Sequence, residues 1–562
     1  VKTSNKTTGL SYWMLRVLEE CDRAGADFAP DPVHDLRVSL RRCRSLADGL
    51  IALDPDPDWK AMKKAGKRLF QRLGALRDIH IMIEWIEKLF FSSAEENVAR
   101  ASLRQPQGML SPALPYPDMN SEAMENAEAI TDERHAAADP AAHNLLQILH
   151  RREEEQKLEA HAALEEFDRK QWKQWAKSLP HRASRIRPGS ALFKHLALER
   201  WTEARRLHQV AMRSRSQTAL HSLRIGIKRF RYIVENFLPV EHQAWSRDLK
   251  EMQDLLGEVH DLDVLWATAV SCNVFPDVES RRRWRARILE DREQRIASYR
   301  AKMTGPEALW NVWRAGLPEG KQVQALATRR MKLWARALDP DFAHSERVTA
   351  LALQLHDGLR GAGLLTPAVQ SAQSSTNGAD ADGRASLQAA ALLHDVGKSK
   401  GNKGHHKESL ELIKAHGAPL GWNPSDLRCA ALVARFHCGA LPTRGHKALR
   451  DLLPAEQKTT IQLAAILRLA NAFDAAHDGR IRRVKVETER EDKNQHNGFM
   501  RRKGKSLARN EALIIAAEGY TPSSSVAQTI AAERHLLETV LHRPVVVKTM
   551  HPLARAVSHQ NR

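Results

Sequence analysis

The chain has 562 residues, with 87 Lys and Arg against 68 Asp and Glu and a formal net charge of +19. Charge of that sign favours a polyanionic partner or an anionic surface and gives no advantage with a neutral small substrate. Its five cysteines are odd in number and form no CxxC pair, which argues against a disulfide framework and a zinc ribbon. The length predicts roughly three or four domain-sized units. With no run of about 18 apolar residues and no signal-peptide core in the opening "VKTSNKTTGLSYWMLRVLEECDR", a cytoplasmic protein without a membrane span is expected.

The first strong feature is "VHDLRVSLRRCR", Val33 to Arg44. Read as a helix, it places His34, Arg37, Arg41 and Arg44 on one stripe, at about 100° per residue. Like charges at such spacing repel unless something anionic lies alongside. A solvated basic face is the plain alternative for a single run. The stripe, however, occurs twice. "HSLRIGIKRFR" superposes on "HDLRVSLRRCR" without a gap and sets His221, Arg224, Lys228 and Arg231 opposite His34, Arg37, Arg41 and Arg44. Each copy is followed by a second matching piece, "LGALRDIHI" from Leu73 and "LGEVHDLDV" from Leu256. Ahead of these stand Lys64 and Lys67 in one copy and Arg247 and Lys250 in the other. A solvated face has no reason to repeat its basic positions in register. Two copies packed with their stripes facing would line a groove for a multiply charged anion, to whose phosphate oxygens Arg offers forked donors.

These paired, histidine-led basic helices in two halves resemble the CHAD domain. The resemblance covers about residues 5–95 and 195–305. It implies two four-helix bundles around a basic cavity that binds inorganic polyphosphate, with His34, Arg37, Arg41, Arg44, Lys64, Lys67, His221, Arg224, Lys228, Arg231, Arg247 and Lys250 against the polymer. An insertion at about 92–180 separates the halves. Within it, "RQPQGMLSPALPYPDMNSE" reads as loop and the charged stretch from Asn144 as helix, either part of the bundle or projecting from it. The basic helix Glu279 to Arg295 either extends the groove or is solvated. Residues 306–320 are expected to link the CHAD domain, 5–305, to the second half of the chain.

From about Lys321 histidines appear on helical apolar patterns: "HSERVTALALQLHDGL" from His344, "LQAAALLHDVGKSK" from Leu387, "GHHKESLELI" from Gly404, "LVARFHCG" from Leu432 and "LAAILRLANAFDAAHDG" from Leu463. A lone histidine so placed is usually a satisfied core residue, but imidazole and carboxylate groups converging from several helices are how bundles build metal sites. The His394-Asp395 pair resembles the HD phosphohydrolase superfamily. The whole series, about 321–549, is similar to the C-terminal region of the exopolyphosphatase and guanosine pentaphosphate phosphohydrolase family. That implies an α-helical HD domain at 321–480 and a small α/β piece at 481–549 with strands in "IRRVKVETER", "EALIIAAEG" and "RPVVVKTM", before a tail at 550–562. It also implies a divalent metal (Mn, Mg, Fe or Zn) held by His344, His394 and Asp395, with His405, His406 and His437 as candidates for a second ion and Lys398 contacting phosphate. Asn471 stands where the superfamily has its last ligating Asp, with Asp474 one turn on as a further candidate metal ligand.

The expected fold class is therefore mainly α: two duplicated four-helix bundles, then an HD domain ending in a small α/β piece. Two functional readings stay open. One is a polyphosphate-binding protein whose HD site (His394, Asp395, Lys398) cleaves polyphosphate or a nucleotide polyphosphate. The other is a polyphosphate-targeting protein with a degenerate HD domain. A nucleic-acid binder is a third reading, disfavoured because no exposed aromatics interleave the stripes. Polyphosphate granules are the expected address within the cytoplasm. "DVGKS" is not a P-loop, since Leu392 occupies the position of the first glycine.

Overall fold

A computed structural model of the chain describes residues 9–91, 139–214, 216–365, 383–487 and 512–550. The loop expected around 104–122, most of the low-complexity run 368–386 and the tail from 551 lie outside the described residues. The chain forms two compact units, the first ending at Pro318 and the second beginning at Glu319. The expected class holds: both units are mainly helical, and the described strands make one three-stranded sheet near the C-terminal end.

In the first unit, α1 (Leu10–Asp27), α2 (Pro30–Ile51), α3 (Pro57–Arg72) and α4 (Gly74–Ile86) form one bundle. Pro30 starts α2, and its buried residues Val33, Leu36, Leu40 and Cys43 recur every three to four positions, so one apolar stripe faces the core. The charged stripe His34, Arg37, Arg41 and Arg44 lies one residue further on each time, about 100° round, and so flanks the core seam.

The inserted segment folds onto this bundle. α5 (Pro140–Glu165), capped by Asp139 accepting from the N–H groups of Ala141 and Ala142, packs on α3 and α4. α6 (Arg169–Ala183) packs on α1, where buried Trp172 donates Nε1–H to the Met14 carbonyl at 3.0 Å.

The second half follows with α7 (Ala191–Ser214), α8 (Gln217–Phe237), α9 (Pro239–Ser271) and α10 (Val278–Met303). α8 buries Leu220, Leu223, Ile227 and Phe230, each immediately before one of His221, Arg224, Lys228 and Arg231. The duplication thus extends to the offset between apolar and basic stripes. The halves meet where α2 packs on α8 and α4 on α9. A Cβ at Gly49 would lie 2.3 Å from Phe237, so only glycine permits this approach of α2 to α8. Beside it, Asn236 donates to Ser45 Oγ at 2.9 Å and Arg42 pairs with Glu235 at 2.5 Å.

Within the stretch expected as a linker, Leu309–Ala315 is instead a helix, α11. Its Trp310 and Trp313 are fully buried and it packs on α7 and α10, because these two large apolar side chains need a core. On α10, Trp284 and Ile288 are buried while Arg292 and Arg295 pair with Asp263 and Glu258 of α9 at 2.9 and 2.6 Å. Those two arginines serve the packing of α10 on α9.

The second unit contains α12 (Lys321–Leu338), α13 (Phe342–Gly361), α14 (Arg384–Leu393), α15 (His405–His416), α16 (Pro424–Arg435) and α17 (Pro454–Phe473). α14 packs on α13 and α16, and α17 on α13 and α16, around an Ala- and Leu-rich core. The sheet comprises β1 (Val484–Glu487), β2 (Leu513–Ala517) and β3 (Val545–Thr549), inside the three stretches expected to hold strands. β1 and β2 are antiparallel, with Val484 opposite Ala517. β2 and β3 are parallel, with Leu513 opposite Val545, and α18 (Ser525–Leu541) supplies the crossover.

Candidate functional sites

The first unit contains a cavity of about 290 Å³ lined by both repeats. His34, Arg37 and Arg41 of α2 and Arg224 and Lys228 of α8 line it. So do Arg77 and Asp78 of α4 and His260 and Asp261 of α9, the equivalent positions of the second repeated motif. Arg37 is anchored by an Nη1–H bond to the Phe70 carbonyl at 2.8 Å and lies over the Phe70 ring at 4.1 Å. Glycines at the equivalent positions 74 and 257 put backbone beside Arg37 and Arg224: a Cβ would stand 3.6 and 3.9 Å from their guanidiniums.

Five of the twelve residues read as polymer contacts therefore line one cavity. His221 joins its edge through His260, with ring centroids 4.7 Å apart. Arg44 packs over Phe70 and Arg231 sits near Glu235, both half-buried outside the lining. Lys64, Lys67 and Lys250 are exposed and the Arg247 side chain is 93% exposed, all four outside the cavity. On α3 the reason is visible: Trp59, Met62, Gly66 and Leu69 form the buried face, and the two lysines occupy other faces. Spacing by three shows that two residues share a face without saying which face it is.

The sequence reading missed Arg77, Asp78, His260 and Asp261. The signal was present in the repeated "LG…D" pieces, but a carboxylate in a groove for anions runs against charge complementarity. Burial pushes Asp261 up to about 6 against the pull of Arg224, and raises Asp78 against Arg37, Arg224 and Arg77. Burial, together with Arg41, Arg224, Arg37 and Arg44, pushes Lys228 down to about 7. Burial, with Arg41, Arg77 and Arg44 and against Asp78, lowers Arg37 to about 10, and burial with Arg224, His221 and Lys228 lowers His260 to about 4. The cavity is thus a place where positive charge is costly.

A polyanion in this cavity favours the charged lysine and the neutral carboxyl, raising both pKa values on binding. Above about pH 7 for Lys228 and about pH 6 for Asp261, the bound protein then holds more protons than the free one, so affinity falls as pH rises through that window. Binding of inorganic polyphosphate at pH 8 should take up protons, measured by calorimetry in buffers of different ionisation enthalpy. Lys228→Met should reduce that uptake. Absence of proton uptake in the unsubstituted protein contradicts the linkage.

In the second unit four histidines converge on Asp395, and in each the hydrogen-bond network assigns the Nδ1 proton. His344 donates from Nδ1 to Asp474 Oδ2 at 2.8 Å, and His394, His405 and His437 donate to the carbonyls of Ala391, Asn402 and Ala434 at 2.8, 2.8 and 2.7 Å. Of the four, His394 Nε2 is the one with no hydrogen-bonding neighbour: His344 Nε2 faces Asn471 Oδ1 at 2.9 Å, the Nε2 atoms of His405 and His437 lie 3.1 Å apart, and the Asp395 carboxylate 3.3 Å from His405 Nε2 raises His405 to about 10. The His344, His394 and Asp395 ligand atoms lie within 4.8 Å of one another, as do those of Asp395, His405 and His437. The His394 and Asp395 side chains are both buried. Burial would raise the Asp395 carboxyl, but His394, His405, His437 and Lys398 hold it well below the usual carboxylate range. Burial lowers His394 and His437.

Two expected site residues serve other groups. Asp474 belongs to neither cluster: besides His344 it accepts from Arg347 Nε at 2.8 Å and the Gly479 N–H at 3.0 Å, so its carboxylate is committed to positioning His344. Asn471 Oδ1 lies 2.9 Å from His344 Nε2. Lys398 donates to Asp395 Oδ2 at 2.6 Å.

The HDVGK turn is locked onto α15. Gly397 donates its N–H to Ser409 Oγ at 2.9 Å, and Ser409 Oγ donates to the His394 carbonyl at 2.7 Å. A Cβ at Gly397 would come within 2.0 Å of the His405 carbonyl oxygen. Gly397→Ala should cost about 3 kcal/mol, the upper end for overpacking, read as a lower melting temperature. An unchanged melting temperature contradicts the packing described.

Residues 14–270 match the CHAD domain, and residues 328–514 match the Ppx/GppA phosphatase, domain III. The chain joins a CHAD domain to an exopolyphosphatase-like C-terminal domain. The crystal structure of the CHAD domain from the plant Ricinus communis is similar over 55% of this chain and 88% of that one, at 17% identity and a TM-score of 0.31. No curated protein matches the chain. The two domain matches together indicate a polyphosphate-related function. No described helix is long and apolar enough to cross a membrane.

Proposed function

We propose that the protein binds inorganic polyphosphate through the CHAD cavity and hydrolyses a phosphoanhydride at the histidine–aspartate cluster of its second domain. The observation that carries the first part is the meeting of the duplicated basic helices around one cavity, where Arg37, Arg41, Arg224 and Lys228 converge. These cations are half-buried, and Arg41 Nε is buried without a hydrogen-bond partner. A linear phosphate polymer supplies the missing acceptors and relieves the mutual repulsion. Cytoplasmic polyphosphate, including its granular form, fits as the source.

For the second part, the donor set fits a divalent cation. His394 Nε2, buried without a hydrogen bond, is an imidazole lone pair in one cluster with His344 and the buried Asp395 carboxylate. Imidazole-rich donors with a single carboxylate favour Fe²⁺ or Zn²⁺ over Mg²⁺. A cation bound there would supply an activated water and neutralise charge on the phosphoryl group. Asp474 fixes the tautomer of His344, the three backbone carbonyls fix those of His394, His405 and His437, and Asp395 keeps the Lys398 ammonium beside the cluster.

Asn471 favours a second reading, a polyphosphate-targeting protein whose HD domain is structural, because a neutral amide there leaves the cluster with one carboxylate. Phosphate release from long-chain polyphosphate with Mn²⁺ or Zn²⁺ decides between them. Release expected from the unsubstituted chain should vanish in His394→Ala while binding persists. Tight binding without release, with nucleotide polyphosphates also inert, would establish the second reading.

A further inference from the structure

Two buried arginines stand at the turn that ends α16 and carries His437, and they differ in their partners. Arg468 of α17 is 5% exposed and every part of its guanidinium is used. It donates to both oxygens of Glu533 at 2.6 and 3.2 Å, to the Phe436 carbonyl at 3.0 Å and to the Gly439 carbonyl at 3.3 Å. Arg435, the last residue of α16, is 9% exposed, yet its Nη1 is buried without a hydrogen-bond partner and no ion pair among the described residues neutralises it. Its guanidinium lies 5.5 Å from the centre of the buried Phe436 ring, a contact that offers no acceptor for its N–H groups.

We infer that Arg435 is a phosphate contact of the second domain, its unpartnered Nη1 kept for a non-bridging phosphate oxygen of the substrate of the neighbouring histidine–aspartate cluster. The inference rests on the hydrolytic reading and adds to it the residue that takes hold of the substrate's phosphate.

Three observations support it. Arginine keeps its charge at any ordinary pH, and a buried charge without a partner is strongly unfavourable, so an anionic partner from outside the chain relieves it. The guanidinium is also placed beside the cluster. His437, two residues on, groups with Asp395 and His405, and the ligand atoms of His406 and Cys438 lie within 4.8 Å of one another and of His405. Burial lowers Arg435 with Cys438 acting against it, and burial followed by the charge of Arg435 lowers His406, so both of these side chains are within its electrostatic reach. Finally, the other cation of the cluster is already engaged: Lys398 donates to Asp395 at 2.6 Å. Forked donors suit phosphate oxygens, which a lysine meets as a point charge.

The test is calorimetric titration of inorganic pyrophosphate, in the presence of EDTA, into the full chain carrying Arg37→Ala and Arg224→Ala to weaken the competing CHAD cavity. Binding of one equivalent is expected, about 10- to 100-fold weaker when Arg435→Met is added and weakened less by Arg435→Lys, which keeps the charge and loses the fork. Methionine fills the place of an unpaired buried cation, so the melting temperature of the free protein should hold or rise. Absence of pyrophosphate binding in the parent, or equal affinity in Arg435→Met, overturns the inference. A lowered melting temperature with unchanged affinity would assign Arg435 to packing and overturn it too. If Arg435→Met fails to fold, Arg435→Lys decides, and affinity equal to the parent's overturns the inference. Pyrophosphate binding that depends on Arg435, in a protein that releases no phosphate from polyphosphate, would uphold the anion contact while the hydrolytic reading alone fails.

Discussion

Arg37→Ala combined with Arg224→Ala is expected to lower affinity for long-chain polyphosphate by about 10²- to 10⁴-fold. Hydrogen bonds to charged groups contribute about 1.5–3 kcal/mol each, and every 1.4 kcal/mol is about tenfold. The two residues occupy equivalent positions of the duplicated helices and line the same cavity. Both are half-buried, so solvent screens them less than it screens Lys64 or Arg247. The salt dependence should weaken at the same time, the log–log slope losing roughly 0.7 for each cation removed. Lys64→Ala with Lys67→Ala serves as the comparison, with a loss below about tenfold because exposed charges contribute little. Equal losses in the two pairs, measured by titration at several salt concentrations, would move the binding surface out of the cavity.

His394→Ala should abolish phosphate release and lower the affinity of the cluster for Mn²⁺ or Zn²⁺. The loss should exceed the roughly 10–100-fold typical of removing an outer partner of a metal ligand. His394 is fully buried, and its Nε2 has nothing else to bond. Asp474→Ala provides the graded comparison. It leaves every ligand atom of the cluster in place but frees His344 to rotate and leaves Arg347 without its carboxylate, so a loss of roughly 10–100-fold is expected. Metal content by equilibrium dialysis separates the two effects from activity. Undiminished metal affinity in His394→Ala would contradict the cluster.

The fold class and the cavity were legible in the sequence for one physical reason. Val33, Leu36, Leu40 and Cys43 make the core stripe of α2, and each is followed directly by His34, Arg37, Arg41 or Arg44, so the register of burial carries the register of charge. The same offset in α8 made the duplication detectable. Lys64, Lys67, Arg247 and Lys250 lie outside the cavity, which spacing could not foretell, because a shared face is implied by spacing while its direction depends on packing partners from distant segments. Asp78 and Asp261 escaped because an acidic group in a basic groove runs against charge complementarity, and the burial that raises both is not displayed by sequence. In the second unit the His-Asp pair was plain, but Asp474 looked like a ligand until its hydrogen bonds to His344, Arg347 and Gly479 assigned it. Residues 309–315 read as linker because the helix is short and its reason for folding, Trp310 and Trp313 in a core, lies elsewhere in the chain.

Capture and cleavage of polyphosphate by one chain can be read in a single experiment. It is the rate of phosphate release from long-chain polyphosphate, with Mn²⁺ or Zn²⁺, as a function of polymer concentration for the unsubstituted protein, His394→Ala and the Arg37→Ala, Arg224→Ala pair. The expected result is release by the unsubstituted protein, none by His394→Ala, and a raised KM with kcat retained in the arginine pair. Release that is absent from the unsubstituted protein, or that survives in His394→Ala, would refute cleavage at the histidine–aspartate cluster.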